Sequence, residues 1–215
     1  MIINLIGSNV TAKDEVISLR CPACKQLGTF GYVDPGYKDY AISKEKQVFH
    51  FGQRKCPKVE CQAHIFVIYS NRKIIASYPS EKIEFDSANI PEKVLKPLEE
   101  AITCHSIACF NASALMIRKS LEELCADKEA TGGNLKEKIN SLNSKVLLPK
   151  ELLEAADHIR LLGNDAAHIN SNVFNNIGKE EIEVAIELTK EIVKGIYQYS
   201  SLLQKLKKLK KGSSL

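Results

Sequence analysis

The chain has 215 residues, a net charge of +4, 44% hydrophobic and 26% charged residues. That composition excludes a disordered or fibrous chain and leaves one good core, or a small module followed by a helical domain. No run approaches a membrane span, and residues 2–6 are too short for the apolar part of a secretory signal. The expectation is a cytoplasmic protein with no membrane partner, whose mild positive charge permits a nucleic-acid partner without requiring one.

Residues 1–85 are rich in Gly, Pro, aromatic and β-branched residues and read as a small β-rich module. Strands are predicted at 47–51, 64–69 and 73–78, with turns at Asp34-Pro-Gly36 and Ser70-Asn-Arg72. Two tight cysteine knuckles, Cys21-Pro-Ala-Cys24 and Cys56-Pro-Lys-Val-Glu-Cys61, flank the strand-rich insert. A hairpin that joins two such pairs supplies four thiolates, the set a structural Zn²⁺ prefers, so a zinc ribbon is expected at Cys21, Cys24, Cys56 and Cys61. His50 and His64 lie near enough in sequence to replace a thiolate. An odd count of seven cysteines argues against a disulfide framework. A closed four-thiolate site leaves no open position for substrate. It would stabilise a module whose core is small. Arg54, Lys55, Lys58, Tyr32, Tyr37 and Tyr40 interleave cations with aromatic rings, a pattern compatible with stacking on nucleic-acid bases; the plainer reading is a stabilising clip.

After a connector at 79–91 the apolar period becomes helical, and residues 86–211 read as an all-α bundle. Helices are predicted at about 91–102, 105–128, 135–144, from Pro149 to at least Leu162, and 179–209, with 212–215 a disordered tail. Asn134 is placed to cap the third helix, with Glu137 at the capping-box position. Cys104, Cys109 and Cys125 read as small buried helical thiols and not as metal ligands, because a spacing of five puts Cys104 and Cys109 about 140° apart. In the last helix Ala185, Leu188, Ile192, Gly195, Tyr199, Leu202, Leu206 and Leu209 form a heptad seam, which packs inward, pairs with a second chain, or divides between the two. Lys205 to Lys211 suit the negative end of a helix dipole.

The segment Arg160-Leu-Leu-Gly-Asn-Asp-Ala-Ala-His168 carries the chemistry. Arg160, Asn164 and His168 recur every four residues and so fall on one helical face. A fixed cation, an amide and an imidazole can together hold a phosphate and move a proton. They can equally form a polar seam, with Arg160 paired to Glu122 or Asp157. Arg118 and Glu122 stand four apart on the preceding long helix.

Several motifs occur in order: Ala-Leu-Met-Ile-Arg-Lys-Ser-Leu-Glu-Glu-Leu-Cys125, Gly-Gly-Asn-Leu-Lys-Glu-Lys-Ile139, and Ile-Arg-Leu-Leu-Gly-Asn-Asp-Ala-Ala-His168. In these, residues 88–205 resemble an uncharacterised bacterial domain family, found alone, behind zinc ribbons or fused to restriction-type subunits, that is placed in the HEPN superfamily. The resemblance implies an α+β chain overall: a zinc ribbon followed by an up-and-down helical bundle of HEPN type. It also implies a homodimer, an RNA partner, a phage-defence or toxin-type system with a partner protein of that system, and metal-independent RNA cleavage. In that chemistry Arg160 is the phosphate clamp, His168 the acid or base, Asn164 the residue that orients them, and Arg118 with Glu122 a supporting layer. Seven residues separate Arg160 from His168, one more than the family's usual spacing. Aligning Asn164 and His168 with the common Arg-Asn-x-x-x-His form puts Gly163 where that form has arginine. The competing expectation is a non-catalytic adaptor that binds nucleic acid, a nucleotide or a protein.

Overall fold

A computed structural model describes residues 16–33, 39–44, 47–168 and 176–211. The chain is α+β and divides into two compact units between Lys82 and Ile83.

The first unit is a six-stranded antiparallel sheet: β1 (Ile17–Arg20), β2 (Leu27–Tyr32), β3 (Tyr40–Lys44), β4 (Gln47–Lys55), β5 (His64–Ser70) and β6 (Lys73–Tyr78). The strand order is β1-β2-β4-β5-β6, and β3 pairs with β4 off that path. β4 is long enough to serve two neighbours: its first half pairs with β3 and its last two residues with β2, while β5 runs along its other edge. Alternation fixes which face is buried. Ile65, Val67 and Tyr69 of β5 point into the core with Ile17, Leu19 and Phe30. The predicted turn at 70–72 is a two-residue hairpin loop. Asn71 and Arg72 both take left-handed backbone, φ 50° and 61°, the geometry that matches strand twist. β1, β2 and β3 were not expected, and the Asp34-Pro-Gly36 turn lies outside the described residues.

The second unit holds α1 (Glu92–Ser106), α2 (Phe110–Asp127), α3 (Leu135–Leu142), α4 (Lys150–Ala167), α5 (Lys179–Val193), a π-helical turn (Lys194–Gln198) and α6 (Tyr199–Lys211). α1 and α2 pack as an antiparallel pair. Ser113 donates to the Ala101 carbonyl at 2.8 Å and Ser120 to the Val94 carbonyl at 2.9 Å, so small hydroxyl residues let the helices approach while staying satisfied. α1 runs four residues beyond its expected end and α2 starts five later than expected. The break is a tight turn in which the Cys109 N–H reaches the Cys104 carbonyl at 2.9 Å and Ala108 is left-handed at φ 60°. Cys104 and Cys109 therefore flank a turn instead of sharing a helix, and Cys109 is exposed, contrary to the expected pair of helical thiols. Cys125 is fully buried, and burial pushes its thiol up to about 11.

α3 is capped as its sequence requires. The Asn134 side chain accepts from the Glu137 N–H at 3.0 Å, and Glu137 reaches back to the Gly133 N–H at 2.7 Å. The last helical stretch is divided. Ala185 and Ile192 are buried in α5, whereas Leu202, Leu206 and Leu209 of α6 are 56%, 64% and 72% exposed. The π-helical turn between them carries two buried anchors. Tyr197 donates to Asp127 at 2.7 Å, and Gln198 donates to the Asp86 and Ala88 carbonyls at 2.7 and 3.2 Å.

Candidate functional site

In the sheet unit the two cysteine pairs are brought to one place. Cys21 and Cys24 lie on the turn after β1, closed by a Lys25 N–H to Cys21 carbonyl bond of 2.9 Å, with Lys25 left-handed at φ 64°. Cys56 ends β4. The turn that carries Cys61 closes by bonds from the Cys61 and Gln62 N–H groups to the Lys58 carbonyl, both 3.0 Å, with Gln62 at φ 46°. The two knuckles are thus built alike. Their four sulfurs lie within 4.8 Å of one another, with Cys21–Cys61 and Cys24–Cys56 at 3.8 Å each. Those separations are too long for disulfides, and all four thiols are free. They match the sulfur–sulfur edge of about 3.8 Å in a regular tetrahedron whose metal–sulfur bonds are about 2.3 Å. The four cysteines form a cluster compatible with a metal site, and neither His50 nor His64 joins it. Burial opposes ionisation of Cys21, yet the Cys24 and Ala23 backbone N–H groups bring its thiol down to about 7, whereas burial pushes Cys56 up to about 12. A metal bound by these thiols would displace their protons.

Arg54 is not a surface cation of this unit. It is fully buried, donates from both terminal nitrogens to Asp39 at 2.8 and 2.6 Å, and lies 4.2 Å under the Tyr32 ring. Tyr69 donates to the same carboxylate at 2.5 Å. The expected interleaving of basic and aromatic residues is thus, at Arg54 and Tyr32, a polar core contact; Tyr37 lies outside the described residues. Gly52 makes room for it, since a Cβ there would fall 1.7 Å from Asp39 Oδ1.

In the helical unit the Arg160-to-His168 segment spans the C-terminal half of α4 and its end. Arg160 and Asn164 are on the helix. His168 is not: it is the C-cap, extended at φ −130° and ψ 125°, exposed, its N–H bonded to the Asn164 carbonyl at 3.0 Å. The expected single face of three residues therefore loses its third member where the helix stops. Arg160 is committed to Asp157, Nε to Oδ1 at 2.6 Å, and this hydrogen bond holds the Asp157 carboxyl below the usual range.

The guanidinium that meets Asn164 comes from α2. Arg118 Nη1 donates to Asn164 Oδ1 and, at 3.3 Å, to the Arg160 carbonyl, while its Nε faces Glu122 at 3.2 Å. Its aliphatic stem crosses α4 at Gly163, where an added Cβ would sit 2.6 Å from Arg118 Cβ. Gly163 does not end α4, which runs on to Ala167; it is the groove through which Arg118 passes. Sequence reading placed Arg118 and Glu122 beside the site but missed this crossing. A glycine in mid-helix, which costs about 1 kcal/mol against alanine, was the one available signal of a close approach.

No helix among the described residues is long and apolar enough to cross a membrane. A family model described as a domain of unknown function, DUF4145, matches residues 99–212, the span from α1 through the last helix. Searches of curated proteins and of solved structures gave no match. The family match covers more than half of the chain and all the residues of the α2/α4 cluster, and the chain belongs to the DUF4145 family.

Proposed function

We propose that the helical domain is a HEPN-type, metal-independent endoribonuclease of a bacterial defence or toxin system, working as a cytoplasmic homodimer with its own regulatory partner. The observation that carries this reading is the meeting of Arg118 with Asn164 one turn before the exposed His168. An arginine, an amide and an imidazole then share one end of α4. In the proposed reaction an imidazole takes the proton of a ribose 2′-hydroxyl, whose oxygen attacks the adjacent phosphorus. The 5′-oxygen leaves and is protonated by a second acid, which a dimer supplies as the other copy's histidine. The products are a 2′,3′-cyclic phosphate and a 5′-hydroxyl end. His168 is suited to the proton transfers, and an arginine to the charge that develops on the phosphate oxygens. In the sheet unit we assign Zn²⁺ to Cys21, Cys24, Cys56 and Cys61, held for stability and not for catalysis.

The test is incubation of labelled single-stranded RNA and tRNA with the protein in EDTA, beside His168→Ala, with folding of the helical unit followed by circular dichroism and of the sheet unit by NMR. Cleavage by wild type alone, leaving cyclic phosphate ends, is expected. A folded His168→Ala that cleaves as well as wild type removes that residue from the chemistry. A second reading, a non-catalytic adaptor that docks phosphates, is favoured by one observation: Arg160, the cation of the sequence motif, is already neutralised by Asp157.

A further inference from the structure

We propose that Arg118, and not Arg160, is the cation that holds the phosphodiester at the end of α4; this rests on the reading above, in which Asn164 and His168 face RNA. An anion arriving there meets an unfavourable field. A helix C-terminus presents unpaired carbonyls worth roughly half a negative charge. A cation from another element is therefore needed, and the structure offers two guanidinium groups. Arg160 is held by the Asp157 carboxylate at 2.6 Å, and its side chain is 13% exposed. Arg118 is twice as exposed, at 26%, and is already bonded to the side-chain oxygen of Asn164, the residue whose main-chain carbonyl accepts the His168 backbone N–H.

The way Arg118 is held leaves part of it for a ligand. Glu122 takes the Nε side, while Asn164 and the Arg160 carbonyl take Nη1. Nη2 has no partner among the described residues. A guanidinium anchored through Nε and Nη1 is pre-oriented, so little side-chain freedom remains to be lost when Nη2 meets a phosphate oxygen. Gly163 is the condition for this arrangement, because any side chain at 163 would occupy the path of the Arg118 stem. Arginine and glycine are thus complementary across the two helices: α4 yields the space and α2 supplies the charge.

The experiment uses the full-length, metal-loaded protein and two probes of the same mixed sequence. One is a fluorescent single-stranded RNA, read for cleavage; the other is its all-2′-deoxy analogue, which cannot be cleaved, read for binding by anisotropy from 50 to 200 mM KCl. Arg118→Ala is expected to weaken binding of the deoxy probe at least tenfold and to lower the slope against log salt by about one phosphate contact. Arg160→Ala is expected to stay within twofold of wild type. Arg118→Lys keeps the charge and should retain part of the slope. The exchange of Arg118→Gly with Gly163→Arg, which returns a guanidinium to the same place from α4, should recover most of it. Loss of binding that follows Arg160 instead of Arg118, an unchanged slope in a folded Arg118→Ala, or no binding by wild type overturns the assignment. Wild type that binds through Arg118 yet cleaves nothing overturns the ribonuclease reading and leaves the assignment standing.

Discussion

Gly163→Ala separates two opposite expectations. In an open mid-helix position the change stabilises by about 1 kcal/mol, because alanine loses less backbone freedom on folding. At Gly163 the new Cβ would stand 2.6 Å from Arg118 Cβ, 2.9 Å from Cδ and 3.2 Å from Cγ. Carbon atoms in contact prefer about 3.5–4.0 Å. The nearest of these atoms is fixed to the α2 backbone, so the clash cannot be relieved by swinging the end of a flexible side chain. Either α2 and α4 move apart, or the Arg118 stem is displaced and its bond to Asn164 is lost. Overpacking costs about 1–3 kcal/mol, and a hydrogen bond to a charged group contributes about 1.5–3 kcal/mol. Either cost, set against the propensity gain of about 1 kcal/mol, leaves a net destabilisation of about 1 kcal/mol. For a chain of this length that lowers Tm by roughly 2–4 °C. The assay is urea and thermal unfolding followed by helical circular dichroism, which the second unit dominates. A Gly163→Ala protein more stable than wild type would refute the reasoning, since it would mean that no side chain crosses α4 at this point.

Three further outcomes follow from buried groups. Asp39→Ala removes the carboxylate that faces the fully buried Arg54 and should cost about 3–5 kcal/mol, while replacing both partners by Leu and Met should cost clearly less; equal losses in denaturant titrations would contradict this. Stripping metal with a strong chelator near pH 7 should collapse the dispersed NMR signals of the sheet unit and leave the helical circular dichroism in place; a sheet unit that stays folded without metal would show the cysteine cluster to be dispensable. Burial lowers the pKa of His105 against the opposing pull of Glu183, with Lys179 adding to the lowering. The unfolded chain therefore takes up this proton first, near its ordinary value of about 6.5, and stability is lost as pH falls from about 7 toward 5. His105→Gln should flatten that slope in urea titrations at pH 7 and 5; an unchanged slope would show that another group sets it.

The sequence by itself determined the features that depend on neighbours in the chain. Two cysteine knuckles, the cap at Asn134, the left-handed hairpin at Asn71 and Arg72, and the existence of helices from residue 92 onward are all short-range matters of turn chemistry and periodicity. Composition also gave the α+β layout, because the β-branched half and the helical half are segregated along the chain. The tertiary structure decided which charges stay at the surface. Arg54 looked like a ligand-facing cation and is instead buried on Asp39, a contact across fifteen residues that no local pattern encodes. It likewise decided where α1 gives way to α2, since the left-handed Ala108 sits in a turn closed by backbone bonds from Ala108 to His105 and from Cys109 to Cys104, which no local propensity announces. The α4 motif was legible as residue types and illegible as geometry. A four-residue repeat predicts one face only while the helix lasts, and this helix stops one residue before His168. Arg118 entered that cluster from 42 residues away through the space left by a glycine, and only the packing of α2 on α4 could place it there.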